Sequence, residues 1–146
     1  MFDYKRVINE MKKIGIFYII FIAGILIPGR SFGYPPEIIP DGIIQAIRAG
    51  NASDLAKYFN ANIELTLNRG EEIYSKDQAE LILKDFFLKH APNDFSILHK
   101  GGKEGSSYAI GNLATTNGTF RVTILVKLKD SQPYIHQLRI EKEDAQ

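Results

Sequence analysis

The chain is 146 residues long, contains no cysteine and carries a formal net charge of +1 at pH 7. The lack of cysteine excludes disulfide bonds, thiol catalysis, thiolate metal ligands and lipid attachment through cysteine. This length predicts a single domain that buries enough apolar surface to fold without covalent cross-links.

The first 33 residues have the pattern of a secretory signal peptide. Basic pairs at positions 5–6 and 12–13 precede an uncharged apolar run, residues 14–27. Small residues then occupy the two positions that a signal peptidase reads, Ser31 and Gly33. This order of charge, apolar run and small residues predicts export.

Cleavage after Gly33 would make Tyr34 the first residue of the exported protein. The alternative is an uncleaved anchor, but the apolar run has 14 residues before Pro28, whereas a helix needs about 20 to span a bilayer. We therefore expect a periplasmic or extracellular protein without a stable membrane anchor. Met1 and Met11 are alternative initiators, and Met11 gives the more usual signal length.

The predicted exported domain, residues 34–146, is weakly acidic. Five of the 18 basic and two of the 17 acidic residues lie in residues 1–33, so the domain carries 13 basic and 15 acidic residues. A formal charge of −2 provides no basic surface for nucleic acid, and we expect no nucleic-acid partner.

A helical hairpin is predicted over residues 38–60. Gly50 is placed to end the first helix in a left-handed turn, and Asn51 to cap a second, shorter helix. The apolar residues that recur at helical spacing in the first helix are Ile39, Ile43, Ile44 and Ile47.

A short strand (residues 63–67), a return strand (71–74) and a third helix are predicted next. Ser75 and Gln78 have the spacing of a capping box, which starts the helix, and Pro92 stops it. The apolar stripe of this helix consists of Ala79, Ile82, Leu83, Phe86, Phe87 and His90.

Four further strands are predicted, and a tight hairpin at Asn117-Gly118 joins two of them. Ala109 and Gly111 share one side of a strand and are small enough to let a helix approach. Residues 100–105 resemble a phosphate loop but lack its Gly-Lys-Ser/Thr ending and following helix, so we expect a flexible hairpin. The other side chains expected to face the interior are Phe95, Ile97, His99, Phe120, Val122, Ile124, Val126, Leu128, Tyr134, His136, Leu138 and Ile140.

Helices first, strands last and short connections predict an α+β fold, in which helices cover one face of an antiparallel sheet. This order resembles the nuclear transport factor 2-like (cystatin-like) fold, in which a curved sheet wraps about three helices into a cone. Residues 36–142 also resemble a bacterial exported family of unknown function. The segments that carry this second resemblance are Tyr74-Ser75-Lys76, Phe86-Phe87, Phe95, Gly118-Thr119-Phe120-Arg121-Val122 and Leu138-Arg139-Ile140-Glu141.

All three histidines, His90, His99 and His136, fall on predicted apolar faces. They would either converge inside the cone, as metal ligands or acid–base groups, or lie apart, each bonded to a backbone carbonyl. The second interpretation is favoured because they share no spacing motif, so we expect no metal, no cofactor and no catalytic residue. Together with Tyr58 and Tyr108 they are the candidate pocket residues.

The resemblance implies a fold that hosts both enzymes and binding modules, so the fold does not choose between them. Isomerases of this fold rely on an inward carboxylate and an inward tyrosine, and no Asp or Glu falls on the apolar side of the long strands. We therefore expect a non-catalytic binding module; the alternative is a small hydrolase, lyase or isomerase with an apolar substrate. The expected partners are a second copy of the chain and a small apolar ligand or peptide.

Two arginines on polar strand faces, Arg121 and Arg139, have two interpretations. A ladder of cross-strand charge pairs on a solvated face is favoured over an anion-binding site.

Overall fold

The computed structural model describes residues 39–67 and 70–143, all within one compact unit. The predicted signal peptide, its cleavage site and the first residues of the mature chain lie outside the described residues. Within the described residues no helix is long and apolar enough to cross a membrane. The elements in chain order are α1 (Asp41–Ala49), α2 (Ala52–Ala56), β1 (Phe59–Leu67), β2 (Gly70–Ser75), α3 (Lys76–Lys89), β3 (Pro92–Lys103), β4 (Ser106–Thr115), β5 (Gly118–Lys129) and β6 (Gln132–Lys142).

The helical hairpin at the start of the domain is confirmed over residues 41–56, whereas residues 59–60, predicted to belong to it, begin β1. Gly50 has a φ of 64°, and its amide donates to the carbonyl of Ile47 at 3.0 Å. Asn51 then caps α2, because its side-chain oxygen accepts from the amide of Asp54 at 3.0 Å. The left-handed glycine reverses the chain within one residue, so both short helices bury their apolar sides against the same core.

The third helix also begins as predicted. The amide of Gln78 donates to the Ser75 hydroxyl at 3.4 Å, and the Ser75 amide donates to the Gln78 side chain at 3.2 Å. These reciprocal bonds satisfy two amides that the first helical turn leaves free. The predicted stripe faces the core, with Ala79 and Leu83 fully buried.

Six strands form one sheet in the order β2-β1-β6-β5-β4-β3. The α+β class and the curved sheet around three helices are confirmed. One pairing differs from the antiparallel prediction, since β1 and β6 run parallel. The direction of β6 is fixed by the tight hairpin that connects it to β5. Alternating hydrophobicity does not indicate whether a strand that is distant in sequence, such as β1, pairs in parallel or antiparallel.

The interior lies between the helices and the inner face of the sheet. Three phenylalanines fill it, Phe59, Phe95 and Phe120, each at most 2% exposed. A Cβ atom at Gly111 would lie 2.7 Å from the ring of Phe95. The small residue of β4 therefore makes room for an aromatic ring of β3, and not for a helix as predicted. Leu128, predicted inward, is 42% exposed.

The β3–β4 hairpin is more regular than predicted. Both strands run to the end of the loop, β3 through Lys103 and β4 from Ser106, and the turn is Glu104-Gly105. Gly105 supplies the positive φ, 76°. Residues 100–103 are thus paired strand, whereas the sequence predicted a flexible hairpin.

A β-bulge displaces the first half of β6. Val126 of β5 pairs with Ile135, and the next residue back, Leu125, pairs with Gln137, so His136 has no partner in the register. An extra residue reverses the side to which the preceding residues project. Ile135 is therefore fully buried, whereas Tyr134 and His136, both predicted inward, are only partly buried.

Candidate functional site

His90 lies at the C-terminal end of α3, as predicted, and packs against aromatic rings. Its ring centroid is 4.9 Å from those of both Phe86 and Phe120. Its amide donates to the carbonyl of Phe86 at 2.8 Å, while its Nδ1 atom is buried without a hydrogen bond among the described residues. The ring thus serves mainly as packing surface for the start of β5.

His99 is exposed, contrary to its predicted inward position. Ile97 pairs with Gly111 and His99 with Ile110, so Leu98 is an extra residue in β3. This bulge turns His99 onto the outer face of the sheet.

The three histidines are not brought together. His99 on β3 and His136 on β6 are three strand spacings apart, about 14 Å. His90 contacts Phe120, and Leu125, beside His136, lies five residues further along β5, about 17 Å from Phe120 along the strand. Within residues 39–67 and 70–143, no group of three His, Asp or Glu side chains has the geometry to hold a metal ion.

The two candidate tyrosines lie in different places. Tyr58 is half-buried against Gly42 of α1, and its carbonyl accepts from the amide of Ile135 at 2.7 Å, which ties the helices to β6. Tyr108 is 41% exposed on the outer face, where its ring lies over Gly101 of β3. Neither tyrosine shares a described cavity with a candidate histidine.

A pocket of about 120 Å³ lies between the β1–β2 hairpin and α3. Opposite residues of an antiparallel pair project to the same side, and Tyr74 pairs with Ile63 while Glu72 pairs with Leu65. Ile63 and Leu65 are each 1% exposed beneath the helices. Glu72 and Tyr74 therefore project toward the helix side of the sheet. The residues that line the pocket are Leu65, Leu67, Gly70, Glu72, Tyr74 and Ile82.

Glu72 and Tyr74 form a hydrogen-bonded pair in this pocket. The Tyr74 hydroxyl donates to the Glu72 carboxylate at 2.7 Å. This hydrogen bond, with a smaller contribution from burial, raises the pKa of Tyr74 above its usual 10.0. The phenol therefore stays protonated well above neutral pH, with its proton directed at the carboxylate.

The sequence pattern did not predict this pair, because the apolar residue of β2 faces solvent and its polar residues face the helices. Ile73 is the apolar residue of the strand, yet it is 75% exposed and Glu72 and Tyr74 take the inner side. One signal in the sequence could have indicated the pair. Glu72 and Tyr74 are two residues apart, so they lie on the same face of a strand, as do the apolar residues Ile63 and Leu65 of the preceding strand.

A second concavity lies at the other end of α3. It is an open groove of about 520 Å³ between the α1–α2 turn and the C-terminal part of the helix. Leu88, on its rim, is 76% exposed. The groove is lined by Ala49, Gly50, Asn51, Ala52, Ser53, Lys84, Phe87, Leu88, Ala91 and Pro92.

The outer sheet face carries the predicted charge pairs. Arg139 contacts Glu71 at 2.9 Å across β1, and Thr66 lies between them in the strand register. Arg121 contacts Glu143 at 2.8 Å. Both guanidinium groups are thus occupied by carboxylates of the same chain, as the charge-ladder interpretation predicted.

Residues 40–141 match the family described as Domain of unknown function (DUF4783). The chain belongs to this family. A DUF4783 protein of known structure from Bacteroides ovatus ATCC 8483 is 36% identical, with 75% of this chain and 99% of that chain covered and a TM-score of 0.72. Another, from Bacteroides uniformis ATCC 8492, is 34% identical, with 73% and 99% covered and a TM-score of 0.71.

The DUF4783 fold is nuclear transport factor 2-like. An NTF2-like protein of unknown function from Cytophaga hutchinsonii ATCC 33406 superposes with a TM-score of 0.52 at 14% identity, over 70% of this chain and 84% of that chain. At this identity the likeness concerns the fold alone. A search of curated proteins gave no match.

Proposed function

We propose that this DUF4783 protein is an exported, non-catalytic binding module that takes a small ligand between the β1–β2 hairpin and α3. The observation that carries the proposal is the make-up of that pocket, which combines apolar walls with a single carboxylate–phenol pair. Small-molecule sites combine apolar side chains that contact the ligand with a few polar groups that orient it, and this pocket holds both kinds of group.

The carboxylate–phenol pair is better suited to holding a ligand than to transferring protons. The pKa of Tyr74 is raised above 10.0, away from neutrality, whereas a general acid or base works best with a pKa near the operating pH. Glu72 is exposed, whereas a carboxylate that acts as a general acid or base is usually buried. Among the residues that line this pocket, the alternative function, a small hydrolase, lyase or isomerase, would rely on this pair.

Incubation with pooled metabolites separates the two functions. The protein, purified after export from a bacterial host, is mixed with the pools, and the compounds are quantified by mass spectrometry before and after separation from the protein. A binding module retains a compound unchanged, at no more than one molecule per chain. Consumption of many molecules per chain with formation of a product, lost in E72Q or Y74F, would overturn the proposal in favour of an enzyme.

We further propose that a second copy of the chain covers the outer sheet face. Tyr108 and Leu125 pair across β4 and β5 and project to this side, next to Ile110. The neighbouring arginines, Arg121 and Arg139, already contact carboxylates of their own chain. A two-fold copy therefore meets an apolar strip with two adjacent arginines that are already paired, which lowers the cost of desolvating those two charges on association.

A further inference from the structure

We propose that the pocket between the β1–β2 hairpin and α3 binds a primary ammonium group carried on a short aliphatic chain. This inference rests on the proposed binding function and names the chemical class of the ligand. The ligand is either a free alkylamine or the end of a longer amine-bearing molecule, and the ammonium group with its methylene stem is common to both.

Half of the residues that line the pocket have aliphatic side chains, which can contact an alkyl stem. Leu65 is 1% exposed, and Leu67 and Ile82 are partly buried against the core. An apolar cavity of about 150 Å³ holds one benzene molecule. A pocket of about 120 Å³ therefore has room for on the order of four or five non-hydrogen atoms.

The polar groups of the pocket select a cation with several donors. The Tyr74 hydroxyl donates its one proton to Glu72, so the phenol oxygen can only accept further hydrogen bonds. Both oxygens of the ionised carboxylate are also acceptors. Two acceptor oxygens 2.7 Å apart suit an ammonium nitrogen, which has three donors and no acceptor. A carboxylate ligand would meet like charge, and an alcohol has a single proton to donate.

The opposite side of the same strand provides a matched control. Glu71 differs from Glu72 by one position, pairs with Thr66 on the outer face, and contacts Arg139 there. A substitution at Glu71 therefore removes the same charge from β2 without touching the pocket.

The test uses the exported, purified protein with three probes of equal chain length: n-butylammonium, 1-butanol and butyrate. Binding is followed by amide chemical shifts, and the expected result is saturable shifts in residues 70–75 and around Ile82 with butylammonium. Butanol should bind at least about tenfold more weakly and butyrate should not bind, since charge-assisted hydrogen bonds supply most of the selectivity.

Variants locate the site. E72Q should weaken butylammonium binding at least about tenfold, while E71Q keeps the wild-type affinity. I82F fills the pocket without changing charge, so it should abolish binding in a protein whose remaining spectrum is unchanged. R69A removes a basic residue that precedes the strand and lies outside the described residues, and it should leave the affinity equal or higher.

The inference is overturned if the three probes bind alike, if none shifts the hairpin, or if E71Q loses as much affinity as E72Q. Loss of binding in R69A would also overturn it, because the ligand group would then be an anion. These results leave the proposed function standing as long as the metabolite pools yield a retained, unchanged compound of another class. Turnover in the pools overturns the proposed function whatever the alkyl probes do.

Discussion

Tyr74 donates a hydrogen bond of 2.7 Å to Glu72, two residues earlier on the same face of β2. The contact places a carboxylate and a phenol side by side in a strand whose apolar residue, Ile73, points to solvent. Because the pKa of Tyr74 depends on this hydrogen bond, a titration of Tyr74 reports whether the bond to Glu72 is present.

The first prediction concerns that ionisation. The Tyr74 pKa lies above 10.0, chiefly because ionisation breaks the hydrogen bond to Glu72. Since the folded-state pKa is the raised one, the stabilising contribution is complete below pH 10 and is lost as the pH rises through the folded value. In protein labelled with 13C at tyrosine Cζ, the Tyr74 resonance should titrate above pH 10 and shift to lower pH in E72Q. E71Q is the control, and an unchanged midpoint in E72Q would contradict the assignment.

The second prediction concerns the turn between α1 and α2. Gly50 has a φ of 64°, and a Cβ atom there would lie 2.9 Å from Pro92. G50A should therefore lower the free energy of unfolding by about 1–2 kcal/mol from backbone strain alone, with a further loss from the contact. Gly105 has a φ of 76° and open space around it, so G105A should show the strain without the contact.

Urea unfolding of the two glycine variants measures the difference. G50A should be the less stable, and equal midpoints would show that Pro92 moves aside without cost. Gly70 lies in open space without a positive φ, so G70A should be close to wild type and serves as the reference for replacing glycine with alanine.

The third prediction concerns export. A full-length chain expressed in a bacterial host should yield an exported protein whose intact mass corresponds to a start at Tyr34. G33L places a large side chain where the peptidase requires a small one and should accumulate the longer precursor. F32L changes the intervening position and should be processed normally. Retention of the wild-type protein in the membrane with its apolar segment intact would instead indicate an anchor.

The fourth prediction concerns self-association through the outer sheet face. Light scattering coupled to size-exclusion chromatography should show a dimer for the wild type and a monomer for Y108E, because a carboxylate in the apolar strip would be buried unpaired. L88E introduces the same charge at a residue that is 76% exposed on α3 and should remain dimeric. A wild-type monomer at all concentrations, or dissociation by L88E alone, would refute the outer-face dimer.

Local signals in the sequence predicted the helices well. The capping box at Ser75 and Gln78, the cap at Asn51 and the stop at Gly50 each act within four residues, so the sequence contains all the partners. The parallel pairing of β1 with β6 could not be predicted from local signals, because it depends on a contact between elements far apart in the chain.

The candidate site was predicted less well, for a physical reason that two bulges illustrate. Alternation assigns faces correctly only while every residue has a partner, and the extra residues at Leu98 and His136 reverse the assignment of their neighbours. At β2 the register with β1 overrides hydrophobicity, so Glu72 faces the pocket while Ile73 faces solvent.

The position of β6 has a consequence for how the protein is made. This strand, the last of those described, lies in the middle of the sheet, between β5 and β1. Without β6, no strand of the β1–β2 hairpin pairs with a strand of the β3–β4–β5 meander. The two parts of the sheet are joined only when β6 pairs with β1, a contact between distant parts of the chain, and such contacts form slowly. If the chain is threaded across a membrane from its N-terminus, as we propose, the six-stranded sheet would be completed only after β6 has crossed. With the export that we propose, this topology would place completion of the native sheet after translocation.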